Sequence, residues 1–183
     1  MAFSYSHDNM SGLILIEHDT FQDNRGYYKK IFDHADFCKE GIKEYFVEEE
    51  MVISAMNVLR GLYFRLPPEA QAKIVMVHQG SILDVVVDLR KESPNYRQWS
   101  AIEMTGRDHR SLYIPKGFAH GFLALENDTC VFCRHSARRS EEHERGIRWN
   151  DPAVGIVWPI ASPRLSNRDA NIPFLGEWKN NPF

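Results

Sequence analysis

Arg60 and Lys73 are two cations set where charge is costly. Each lies in an otherwise apolar, strand-like context, where an ionised side chain needs a partner or a ligand. An anionic ligand would satisfy both. The planar guanidinium of Arg60 suits a diphosphate, because its fork donates two hydrogen bonds at once. Arg25, Arg134, Arg138, Arg139, Arg145 and Arg148 are scattered along the rest of the chain, and a surface role suffices for most of them. Eight histidines invite a metal hypothesis, yet a stable site needs three or four converging ligands. Cys130-Val131-Phe132-Cys133 has zinc-like spacing but no second ligand pair. On a strand its two thiols would face opposite sides, so buried strand thiols explain it better than a metal does.

The elements that would carry these residues are short and strand-like. Leu13–Ile16 and Gly26–Phe32 flank the polar turn Asp19–Arg25. Then follow Ala72–His78, Ile82–Arg90, Trp99–Met104, Ser111–Ile114, Gly121–Leu125 and Cys130–His135. Turn-forming clusters such as Gly80-Ser81, Ser93-Pro94-Asn95 and Pro115-Lys116-Gly117 separate them. Many short strands so punctuated predict a sandwich or barrel. Within Lys73–His78, alternation puts Lys73, Val75 and Val77 on one face and Ile74, Met76 and His78 on the other. One face could then line a cavity while the other packs. His34–Lys43 is the best helical candidate. From about Ser136 the chain turns polar, but Trp149, Ile156, Val157 and Trp158 predict a tail that wraps the barrel.

A chain of 183 residues can enclose a real core, and residues 1–183 read as one domain. A hydrophobic fraction of 43% and a charged fraction of 26% are those of a soluble globular protein. The net charge of -3 gives no general attraction to nucleic acid or an anionic membrane. Neither a signal-peptide pattern nor an apolar run of roughly 20 residues is present. Three cysteines argue against a disulfide framework and fit a reducing cytoplasm.

Pro115-Lys116-Gly117-Phe118-Ala119-His120 resembles the second motif of cupins, while Gly61-Leu62-Tyr63-Phe64-Arg65 lacks the histidine pair and carboxylate of the first. FQDNRG, VLRGLYF, PPEAQAK, GSILDVVVDLRKESPNY, YIPKGFAHGF, HERGIRWNDPAVGIVWP and LSNRD follow in order. With that order and spacing, nearly the whole chain resembles the dTDP-4-dehydrorhamnose 3,5-epimerase family. The resemblance implies an all-β jelly-roll cupin barrel, a double-stranded β-helix with short peripheral helices. It also implies a homodimer with exchanged edge strands, and a pocket without metal or cofactor for a nucleotide diphosphate sugar with a 4-keto group. The family removes protons beside the C4 ketone and returns them from the opposite face. Such chemistry needs a base, an electrophile for the developing enolate oxygen, and an acid across the ring.

On this resemblance Lys73 holds the enolate oxygen, His120 lies beside the sugar, and Asp169 orients the catalytic histidine. Arg25 and Arg60 hold phosphate, Phe21 packs on the nucleotide, and Gln71 and Arg168 are further substrate contacts. The departures are specific. Tyr63 stands where the family has histidine, and Cys133 where it has a tyrosine acid. Glu48 and Glu50 replace amides, Lys30 a glutamate that recognises thymine, and Arg138 an aromatic residue that stacks on the base. Tyrosine, with a pKa of about 10, is a poor base unless Lys73 lowers it. Cys133, at about 8.5 when unperturbed, could act if a nearby cation favours its thiolate. His135 shares the strand face of Cys133, and Glu48 or Glu50 could supply a carboxylate base. The expected function is epimerisation or a related proton shift on a nucleotide-linked 4-keto sugar. The alternatives are a non-catalytic sugar-nucleotide-binding homologue and a metal-dependent cupin.

Overall fold

The computed structural model describes residues 3–178. In chain order the strands are Phe3–His7 (β1), Ile14–His18 (β2), Thr20–Asp23 (β3), Gly26–Lys29 (β4), Glu48–Ser54 (β5), Leu59–Arg65 (β6) and Lys73–Gln79 (β7). Ser81–Asp88 (β8), Trp99–Thr105 (β9), Arg110–Ile114 (β10), Phe118–Ala124 (β11), Thr129–His135 (β12) and Glu144–Gly146 (β13) follow. Two short helices, His34–Lys39 (α1) and Asn167–Ala170 (α2), lie outside the sheets. A six-stranded sheet runs β1-β2-β10-β7-β12-β5 and a five-stranded sheet β13-β6-β11-β8-β9. All the strand pairings within them are antiparallel. The two sheets face each other as the jelly roll expected from the sequence.

The period-two pattern of β7 works as its sequence predicts. Val75 and Val77 enter the core between the sheets, with Ile82 and Val86 of β8, Leu112 and Ile114 of β10, Phe122 of β11 and Val131 of β12. Ile74 points the other way, into a cluster with Phe37, Ile42 and Tyr113 that covers the outer face of the six-stranded sheet. The outer face of the five-stranded sheet is covered by the tail: Ile147, Trp149, Val154, Trp158 and Leu175 pack on Leu62, Val85, Val87 and Ala119. With both outer faces covered, β7 and β8 read as nearly continuous apolar runs.

Several boundaries differ from expectation for local reasons. The helix ends at Lys39, because Gly41 takes a φ of +89° and the Gly41 and Ile42 amides return to the Cys38 and Phe37 carbonyls. That is a Schellman stop, sealed by Phe37 against Ile42. Strand β8 ends at Asp88, whose carboxylate accepts the Arg90 amide at 2.9 Å and turns the chain. Strands β1, β5 and β13 carry weak sequence signals. Strand β5, which opens on Glu48-Glu49-Glu50, is held by its pairing with β12. Among the described residues, no helix is long and apolar enough to cross a membrane.

Candidate active site

At one end of the interior the apolar core gives way to a cavity of about 300 Å³. Its two walls are the facing sheets. From the five-stranded sheet come Arg60, Tyr63 and Arg65 of β6 and His120 of β11. From the six-stranded sheet come Lys73 of β7, Cys133 and His135 of β12, and Glu50 of β5. Alternation explains the selection, since Tyr63 and Arg65, or Cys133 and His135, are two residues apart and share a face. Ser166, Arg168 and Asp169, at and within α2, close one side.

Two hydrogen-bonded pairs stand on the five-stranded wall. The Tyr63 hydroxyl donates to Asp169 Oδ1, which also accepts the Gly61 amide at 3.2 Å. Asp169 is fixed in turn by α2, where Ser166 Oγ donates to Oδ2 at 2.6 Å and caps the Asp169 amide at 3.1 Å. The Arg168 guanidinium lies 4.8 Å from the centre of the Tyr63 ring and pairs with Glu144. In the second pair His120 Nε2 meets Asp84 Oδ1 at 2.6 Å, both side chains being buried. Gly61 lets these strands approach, because a Cβ there would sit 2.7 Å from Gly121 Cα, and its φ is +110°. The register shift between His120 and Phe122 opposite this glycine gives β6 a local irregularity beside the pocket.

The other wall is dominated by burial. Lys73 is buried, with no carboxylate among the described residues within ion-pair distance, and loss of solvation holds its ammonium below the ordinary lysine pKa. Cys133 carries the opposite shift. Burial pushes its thiol up to about 12, and the nearby Lys73 charge offsets only part of that. The expected thiolate is therefore overturned: Cys133 is a thiol at neutral pH. Tyr63 is likewise raised, by burial and then by its bond to Asp169, so of the two influences the sequence sets against each other Asp169 prevails over Lys73. His135 Nδ1 meets Gln71 Oε1 at 3.1 Å, and its pKa falls to about 3 through burial, then Lys73, Arg65 and His120.

Of the residues singled out from sequence, Tyr63, Lys73, His120, Cys133, Asp169, Glu50, Arg60, Gln71 and Arg168 line this one cavity. Arg60 donates to Ser54 Oγ at 3.1 Å and to the Ile53 carbonyl at 3.3 Å, with no carboxylate partner among the described residues. Five others lie apart from it within the chain. Phe21 and Arg25 sit on the separate β3–β4 hairpin, where Arg25, with its side chain 85% exposed, pairs with Asp23 at 2.6 Å. Lys30 follows that hairpin and is held by Asp33 at 2.7 Å. Glu48 accepts the Arg139 amide at 2.8 Å. The Arg138 carbonyl accepts from Arg65 at 2.5 Å.

Asp84, Arg65, Glu144 and Ser166 were not anticipated. Asp84 had a signal, a carboxylate inside the apolar run Ile82–Val87. Arg65 had one too, two residues along the strand from Tyr63. Glu144 and Ser166 lie in the polar tail and had none.

The fold and the walls of this cavity define a jelly-roll protein of the cupin type with a small-molecule site between its sheets. The model of the dTDP-4-dehydrorhamnose 3,5-epimerase family matches residues 7–177, and the chain belongs to that family. A dTDP-4-dehydrorhamnose 3,5-epimerase of Methanothermobacter thermautotrophicus is 39% identical over 158 residues, covering 86% of this chain and 85% of the relative. The Bacillus anthracis enzyme of that name, solved with TDP and pyrophosphate bound, is 38% identical with a TM-score of 0.92, covering 95% of this chain and 100% of that one. An epimerase from Legionella pneumophila in complex with dTDP-4-keto-L-rhamnose is 31% identical, also with a TM-score of 0.92, over 96% and 94% of the two chains.

Proposed function

We propose that this chain epimerises a nucleotide-diphosphate-linked 4-keto sugar, at C3, C5 or both, in deoxysugar biosynthesis. The observation that carries it is Lys73: a buried lysine whose charged form is disfavoured by burial and paired with no carboxylate among the described residues, facing a sugar-sized cavity. Such a cation costs free energy in the free protein and is repaid when a negative charge develops beside it. A 4-keto sugar offers that charge. Removing a proton from the carbon next to the ketone moves an electron pair onto O4, and Lys73 stabilises the resulting enolate. The Tyr63–Asp169 and His120–Asp84 pairs hold polar groups against the ring, and Arg60, without a carboxylate partner, takes the diphosphate. The reaction so written uses protein side chains alone.

The functional unit, in the same proposal, is a homodimer in the cytoplasm. Phe21, Tyr27 and Tyr28 of the β3–β4 hairpin and Met51 and Ile53 of the edge strand β5 are large apolar side chains left exposed, as expected of surfaces that a second copy covers. Exchange of these edges would bring Phe21, Arg25 and Lys30 to the nucleotide of the neighbouring site, and Arg25 would trade Asp23 for phosphate. The test is incubation with dTDP-4-keto-6-deoxyglucose in D₂O, followed by proton NMR. Loss of the C3 or C5 proton signal supports the assignment. A substrate that is bound but never exchanged would make the protein a binding homologue.

A further inference from the structure

The proposed reaction needs a base on one side of the sugar ring, and the six-stranded wall of the cavity holds a buried ring nitrogen with no hydrogen-bond partner among the described residues. The His135 ring is buried and lines the cavity on the six-stranded wall, directly across the β7–β12 ladder from Lys73. Its Nδ1 must donate to Gln71 Oε1, which can only accept. In the neutral ring that leaves the lone pair on Nε2, a buried atom with no hydrogen-bond partner. Glu50 Oε2 stands 3.5 Å from it, on a side chain 42% exposed, and so connects Nε2 to solvent. Unpartnered buried nitrogens are costly, and at a cavity wall a proton-bearing ligand removes the cost. The other titratable groups on this wall serve less well. Cys133 is a thiol at neutral pH, and Lys73 is committed to the enolate oxygen. On the opposite wall Tyr63 carries its proton.

We propose that His135 Nε2 is the catalytic base, taking the sugar proton on the β12 side of the ring, and that Tyr63 returns a proton from the β6 side. This rests on the epimerase assignment above. The C–H bond beside the ketone breaks and its electron pair forms the carbon–carbon double bond of the enolate. The carbonyl pair moves to O4 beside Lys73, and Nε2 gains the proton. The double bond then reforms a C–H bond with the Tyr63 hydroxyl proton from the other side, and the C4 carbonyl returns. Water reprotonates the phenolate while the imidazolium gives its proton to Glu50 and solvent, so protons and charge balance. The titratable and charged groups that face the ring are Lys73 of β7, Arg65 of β6, His120 of β11 and Glu50 of β5. Burial first, and then the Lys73 and Arg65 charges, keep His135 neutral in the free protein, while Glu50 stands beside Nε2.

Three proteins separate this from its rivals in D₂O: wild type, His135→Asn and Tyr63→Phe. Asparagine keeps a donor for Gln71 while removing Nε2. Wild type should exchange and invert. His135→Asn should lose both by a factor of about 10² or more, with dTDP affinity by calorimetry within about 3-fold of wild type. Tyr63→Phe should still take up deuterium, but with configuration retained, because only His135 can then return it. If His135→Asn keeps near-wild-type exchange, or if Tyr63→Phe loses exchange while His135→Asn retains it, the assignment of His135 is overturned and the epimerase assignment stands. If wild type exchanges no 4-keto sugar, both fall together. Should His135→Asn fail to fold, Glu50→Gln decides. A fall in exchange of about 5-fold or more supports the relay, and an unchanged rate overturns it.

Discussion

Replacing Lys73 with methionine should make the protein more stable and the enzyme nearly inactive. Methionine keeps the length and flexibility of the chain and removes only the ammonium. That ammonium is buried, and among the described residues no carboxylate is within ion-pair distance of it. Exchanging a buried charge for an apolar side chain is commonly neutral or stabilising by about 1–4 kcal/mol. The polar cavity wall recovers part of the solvation, so we expect about 1–3 kcal/mol. At roughly 2–4 °C per kcal/mol for a chain of this size, Tm should rise by about 2–12 °C. Exchange at the carbon beside the ketone should fall by about 10²–10³, as when an oxyanion contact is lost. The pH dependence gives a second reading. Burial lowers the Lys73 pKa in the folded state, so between that value and the ordinary 10.5 the unfolded chain binds more protons. Wild-type stability should therefore gain from rising pH in that window, a contribution the variant lacks. Scanning calorimetry at neutral and alkaline pH, with exchange rates on the same preparations, measures both. A variant that melts more than about 3 °C below wild type would show that the ammonium is satisfied in the free protein. The premise of a cation held ready for an enolate would then fail.

Three further outcomes are expected. Arg60→Ala should weaken binding of a nucleoside diphosphate by about 2–4 kcal/mol in calorimetry, and unchanged affinity would place the phosphates elsewhere. Because the His135 pKa falls to about 3 in the folded state, its neutral burial should cost wild type stability as pH drops from 6.5 toward 3. Denaturant midpoints for His135→Asn should be flatter over that window, and equal slopes would count against the buried neutral ring. Cys133, pushed up to about 12, should resist iodoacetamide at pH 8 while the half-buried Cys38 reacts. Peptide mass spectrometry showing Cys133 labelled first would reveal a thiolate.

How far the sequence led depended on whether a residue's role was local. Alternation in Lys73–His78 puts Lys73 and Ile74 on opposite faces, because period two is set by the backbone alone, and the fold makes the Lys73 face the cavity side. Tyr63, His120 and Asp169 each lie in a recognisable motif, Cys133 follows from the uninterrupted spacing between two motifs, and the fold brings all four to one cavity. Their chemistry was less legible. Whether Lys73 lowers the Cys133 pKa more than burial raises it is settled by solvent exclusion, which no spacing reveals. The Asp84 partner of His120 depends on β8 pairing with β11, a long-range register. The six-residue helix was overestimated at Lys43 because Gly41 was not read as its stop. The resemblance groups Phe21, Arg25 and Lys30 with the site, yet within one chain Phe21 and Arg25 stand on a hairpin of their own and Lys30 directly follows it.

The most direct measurement is the configuration of the sugar after the reaction. Wild-type protein is incubated with dTDP-4-keto-6-deoxyglucose, the ketone is reduced with borohydride to freeze the ring, and the released sugars are separated and identified. Inversion at C3, C5 or both is predicted, giving reduced sugars that the enzyme-free control lacks. Recovery of only the sugars formed in that control, from protein shown by calorimetry to bind the substrate, would contradict the account.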